Sequence, residues 1–99
     1  MTGTIQLLIR LKVEDFDLLR EFELQALIIM ADYGGKLITA FETKKNHDGS
    51  GKEVHILEFP NIDAFDRYRE DPRLQQLAEL RSDAISKTKV SISQRIKSY

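Results

Sequence analysis

Ninety-nine residues suit one domain, spanning 1–99, whose folding would bury about 60 to 70% of the surface of the unfolded chain. Fifteen Lys and Arg against sixteen Asp and Glu, mixed along the chain, give no single-sign field, so neither nucleic acid nor membrane is an expected partner. The lack of Cys excludes a disulfide framework, a thiol nucleophile and a thiolate metal site, and with no basic-then-apolar opening segment and no apolar run of membrane length the expected location is the cytoplasm.

Thr4 to Val13 alternates: Ile5, Leu7, Ile9, Leu11 and Val13 point one way, and Gln6, Leu8, Arg10 and Lys12 the other. This is a strand with one dry face. Glu14 and Asp15 favour a helix N-terminus. From Phe16 to Tyr33 the period becomes helical, with a stripe of Phe16, Leu19, Phe22, Ala26, Ile29, Met30 and Tyr33. Leu24 and Ile28 lie on the charged face, either as ordinary surface residues or as part of a subunit contact. Gly34-Gly35 stops the helix. Lys36 to Thr43 reads as a second strand, and Lys44 to Lys52 as a turn-rich loop holding His47. Gly49-Ser50-Gly51-Lys52 resembles a phosphate loop only superficially, because a strand follows it rather than a helix N-terminus.

Glu53 to Arg81 organises the rest. Val54 to Phe59 has the branched and aromatic content of a central strand, and Pro60 ends its ladder. Asn61 is an N-cap for a helix over Ile62 to Glu70. Asp71-Pro72 restarts the helix and carries it through Leu74, Leu77, Ala78 and Ile85 to near Ser86. Arg81 falls in the middle of that apolar sector. Its guanidinium requires a carboxylate, a phosphate or water nearby, from a structural ion pair, a head reaching solvent or a ligand. Thr88 to Ile96 alternates again as the last strand.

The order β-α-β-β-α-β predicts an α+β, ferredoxin-like fold: a four-stranded antiparallel sheet with two helices on one face. Strands one and three are expected as central neighbours, here taken to run parallel. The uncovered face would present Leu8 and Arg10 with Ile38, Ala40, Val54 and Ile56. A homodimer joined sheet to sheet would cover it.

Tyr33-Gly34-Gly35-Lys36 after a helix, Ile56-Leu57-Glu58-Phe59-Pro60 before one, then Tyr68, Asp71-Pro72, Leu77 and Arg81, together resemble a bacterial family of domains of unknown function in the dimeric α+β-barrel superfamily. The chain departs from the family pattern in its long first helix and in carrying Lys36 where an arginine is usual. The resemblance implies a homodimer whose sheets face each other as a barrel. It also implies relatives as different as cofactor-free monooxygenases of aromatic compounds, muconolactone isomerase and haem-binding enzymes, so it assigns neither a reaction nor a cofactor.

The residues that carry chemistry are few. His55 and Glu58 are an odd number of positions apart on one strand and face opposite sides of the sheet. His55 turns toward the helices, as a core-edge imidazole bonded to backbone or as a ligand contact or base. Glu58 is expected to pair with Arg10 in the dimer interface. Tyr33 and Tyr68 either cap the core or offer hydroxyls to a pocket between helices and sheet. Two histidines without a third ligand make no metal site. The leading expectation is a small-molecule pocket framed by His55, Arg81, Tyr33 and Tyr68, for an aromatic or anionic compound, with Arg10 and Glu58 as further ligand candidates. A structural or regulatory dimer without chemistry is the alternative, and an RNA-binding sheet comes last.

Overall fold

A computed structural model describes residues 4–93. The elements run β1 (Ile5–Val13), α1 (Phe16–Ala31), β2 (Lys36–Lys45), β3 (Gly51–Phe59), α2 (Ile62–Arg69), α3 (Pro72–Gln75), α4 (Ala78–Ala84) and β4 (Ile85–Ile92). They form one four-stranded sheet in the order β2-β3-β1-β4, every neighbouring pair antiparallel. The ferredoxin-like α+β arrangement is therefore present, with one correction. β1 and β3 are central neighbours but antiparallel, because the α1 crossover makes β1 parallel to β2, and the β2-β3 hairpin then reverses direction between them. No helix among the described residues is long and apolar enough to cross a membrane.

Local chemistry sets most boundaries. The Asp15 carboxylate accepts from the N–H groups of Asp17 and Leu18 and starts α1. Its buried stripe is Leu19, Phe22, Ala26, Ile29 and Met30. Gly34 then takes φ +73°, the left-handed conformation that ends a helix. At Gly35 a Cβ would lie 2.6 Å from the Phe59 ring, so the chain passes close over the core. Asn61 caps α2 through the Ala64 N–H at 2.8 Å.

The expected helix from Asp71-Pro72 to Ser86 is instead two pieces. Leu77 sits at φ −91° and ψ 5°, with its N–H on the Leu74 carbonyl, a tightened turn that re-aims the chain before α4. Ile85 leaves α4 directly as the first residue of β4. The end expected for this strand at Ile96 lies outside the described residues.

Leu7, Ile9, Leu11 and Val13 are buried on the helix side, as are Leu57 and Phe59. Cross-strand partners share a face, so the register defines the open side. One row runs through Ser91, Leu8, Ile56 and Thr39, and the next through Lys89, Arg10, Val54 and Phe41. Ala40 was expected on this side but pairs with His55 and belongs to the helix side. The β2 irregularity between Leu37 and Thr39 shifts the parity and puts Phe41 on the open face instead. Ile38 lies within that irregularity and is 50% exposed.

Candidate functional site

A cavity of about 280 Å³ lies between the sheet and the helices. Its walls are largely apolar, from Ile9 and Leu57 on the sheet, Phe22 and Met30 on α1, and Leu74 near the turn into α4. Into it converge Glu23, His55, Tyr68, Arg81 and Thr88. An apolar chamber of that size with a few convergent polar groups suits a small organic ligand.

β3 carries His55, paired with Ile9 on β1, and the residue is 4% exposed. Its Nε2 is in hydrogen-bond contact with Glu53 Oε2. An ionised carboxylate only accepts, so an ionised Glu53 holds the proton on Nε2 and leaves Nδ1 with its lone pair. Nδ1 faces Glu23 Oε1 at 3.9 Å, too far for a direct hydrogen bond. Burial pushes the Glu23 carboxyl above its ordinary value, against the opposing pull of His55 and Arg81. The Tyr68 hydroxyl is pushed up too, first by burial and then by Glu23.

Arg81 does fall on the apolar sector of α4, half-buried against the cavity. Its Nη2 donates to Thr88 Oγ1 at 2.7 Å. No carboxylate among the described residues lies within ion-pair distance of it. Glu23 is the acid whose charge it feels across the cavity.

The other candidates lie elsewhere. Tyr33 donates to Asp71 Oδ2 at 2.6 Å, and Arg73 bridges Asp71 and Asp32 at 3.0 and 2.9 Å. These bonds hold the Asp71 carboxyl well below the usual range, Arg73 first and Tyr33 second, and they fasten the end of α1 to the start of α3. Tyr33 thus meets Tyr68 edge-on at 6.4 Å without lining the cavity. Arg10 and Glu58 are on the open face. The expected ion pair between them is absent, because Glu58 pairs with Gln6 and Lys36, two rows from the Arg10–Val54 pair.

Sequence reasoning missed Glu23 and Glu53, and both left a signal. Glu53 stands two residues before His55, hence on the same face of β3. Glu23 interrupts the helical series Leu19, Glu23, Ala26, Met30, the same anomaly that singled out Arg81. No group of three His, Asp or Glu side chains among the described residues is arranged to hold a metal ion.

Residues 6–95 match the family described as "Domain of unknown function (DUF1330)". No curated protein matches the chain. Solved structures agree with the fold. A protein of unknown function from Rhodopseudomonas palustris is 16% identical, with TM-score 0.79 over 99% of this chain and 86% of that one. A NIPSNAP family protein from Agrobacterium tumefaciens is 16% identical, with TM-score 0.69 over 92% of this chain and 86% of that one. SnoaB, a cofactor-independent oxygenase from Streptomyces nogalater, is 12% identical, with TM-score 0.68 over 98% of this chain and 97% of that one.

Proposed function

The chain belongs to that family of unknown function, and we propose that it binds a small, weakly acidic organic molecule in the helix–sheet cavity and removes a proton from it. One observation carries this reading: Arg81 has no carboxylate partner within ion-pair distance among the described residues and shares an apolar chamber with His55, whose ring is bonded to Glu53. A half-buried cation turned toward apolar walls gains from a negative charge beside it, and the charge left by deprotonation would supply one. The proton passes from the C–H or O–H of the bound molecule to His55 Nδ1. The imidazolium is stabilised through Nε2–H by Glu53, and the anion faces Arg81. The likeness to a cofactor-independent oxygenase supports the fold as a frame for such chemistry. The reading as a dimer without chemistry expects Arg81 to be paired internally, and the geometry gives that less support.

The test is binding of a panel of phenols and β-dicarbonyl compounds, followed by amide chemical shifts. Wild type is expected to bind members of the panel with shifts at Ile9, Leu57 and Thr88. Arg81→Gln should lose about ten- to a hundredfold in affinity, the worth of a hydrogen-bonded ion pair, while keeping its melting temperature. A variant binding as tightly as wild type, or a wild type binding nothing, removes the reading.

A second copy of the chain is part of the proposal. Val54 is buried and Leu8 and Ile56 half-buried on the open face, beside Phe41 at 48% exposure. This apolar centre supports a homodimer joined across it. Sedimentation at micromolar concentration is expected to give dimers for wild type and monomers for Ile56→Lys. Folded wild-type monomers would refute the contact.

A further inference from the structure

Basic and acidic residues are mixed along the chain, but the register separates them. Lys12 on β1 pairs with Lys52 on β3 and Lys87 on β4, and Lys52 pairs with Lys44 on β2. The four lysines form one row across the whole sheet on its open face, and all four are exposed. The adjoining row adds Arg10 and Lys89. All six cations border one open groove of about 940 Å³, whose single acidic neighbour among the described residues is Glu53, a residue turned to the helix side and bonded to His55. None of the six forms an ion pair among the described residues.

Like charges directly opposite each other destabilise a sheet, so the row is a place where a bound anion would stabilise the fold. From β4 to β2 the row spans about 14 Å, three strand spacings, which suits an elongated anion with several charges. A second copy of the chain does not serve as the occupant. A two-fold contact is self-complementary, and among the described residues of β1, β3 and β4 the open face brings one carboxylate, Glu58, to set against six cations, so a second copy leaves most of this charge unmet. The row stands two open-face rows from Leu8 and Ile56, the centre of the apolar contact proposed above.

We propose that the Lys12–Lys52–Lys87–Lys44 row is a binding site for a linear polyphosphate chain. Lysine ammonium groups bind phosphate as mobile point charges, and the groove follows the row across the strands. This site is on the opposite face of the sheet from the His55 cavity, and either can fail without the other.

The probe is inorganic tripolyphosphate, titrated calorimetrically into the full chain at constant ionic strength, with sulfate and an oligothymidylate as comparisons. Tripolyphosphate is expected to bind at least tenfold tighter than sulfate, to weaken steeply with added salt and to raise the melting temperature. Lys12→Gln/Lys52→Gln should bind at least tenfold more weakly, and without anion should melt no lower than wild type, since a repulsion has been removed. The matching arginine pair, Lys12→Arg/Lys52→Arg, should restore binding. Equal binding of sulfate and tripolyphosphate would reduce the effect to screening and overturn the proposal. Undiminished binding by the glutamine pair would overturn it as well. An oligothymidylate binding more tightly than tripolyphosphate would reassign the row to nucleic acid.

Discussion

Phe59→Ala should lower the unfolding free energy by about 3 to 5 kcal/mol, the usual cost of emptying a packed aromatic site. The ring is fully buried and stands where four segments meet. It packs edge-on to Phe65 at 5.3 Å between centroids and tilted against Tyr68 at 5.6 Å. The chain at Gly35 passes over it so closely that a Cβ there would be 2.6 Å away. Such a ring has few ways to be replaced by collapse. α1 and α2 are each held by their own caps, and the Tyr33–Asp71–Arg73–Asp32 bonds fix the ends of α1 and α3 around it. Against a typical total stability of about 5 to 15 kcal/mol, the loss is large. Urea unfolding should show a lower midpoint with an unchanged slope. Ile62→Ala, at a residue 44% exposed, is the control and should change stability by less than about 0.5 kcal/mol. A Phe59→Ala cost below that of a single methylene would mean the core closes over the gap, against the packing described.

What could be read before the structure, and what could not, divides along a physical line. Residues that act through their own strand or helix were legible. The parity of Leu7, Ile9 and Leu11 identified the dry face of β1, Asn61 and Asp71 announced their helix starts, and Arg81 stood out on an apolar sector. Properties of pairs were not legible. An Arg10–Glu58 contact depends on the registration of two strands, and in the observed register the two residues are two rows apart. Ala40 and Phe41 exchanged faces because β2 is irregular after Leu37, and no local residue pattern dictates that kink. The break at Leu77 is likewise set by where α4 must pack. The lysine row is the extreme case. Each lysine is unremarkable in its own strand, and the chain's charges nearly cancel, yet four registers superimpose them. Glu23 and Glu53 belong to the legible class, because Glu53 shares the strand parity of His55 and Glu23 stands within the apolar helical series of α1.

Those two carboxylates shape the remaining prediction. His55→Asn should slow proton removal from the bound molecule by about 10² to 10⁴-fold, the usual contribution of a general base, while affinity for the neutral ketone stays within a factor of about three because the apolar walls and Arg81 that receive it are unchanged. The measurement is hydrogen–deuterium exchange, in deuterated buffer, at the α-carbon of a bound ketone whose uncatalysed exchange is slow. Asparagine keeps a polar group of similar size in a position only 4% exposed, and near-ultraviolet circular dichroism checks that the core has kept its packing. Glu53→Gln separates chemistry from support. Glu53 touches the imidazole rather than the cavity, so it is a positioning residue that fixes the tautomer and stabilises the imidazolium. Its loss should slow exchange less than the loss of His55 does, with binding unchanged. Glu23→Gln tests the competing base. Burial pushes the Glu23 carboxyl above its ordinary value, and it stands 3.9 Å from His55 Nδ1 without a hydrogen bond to it, so with His55 as the base this variant should retain most of the exchange. If exchange survives in His55→Asn and disappears in Glu23→Gln, the carboxylate is the base and the histidine role is wrong. If no variant alters it, the cavity binds without reacting.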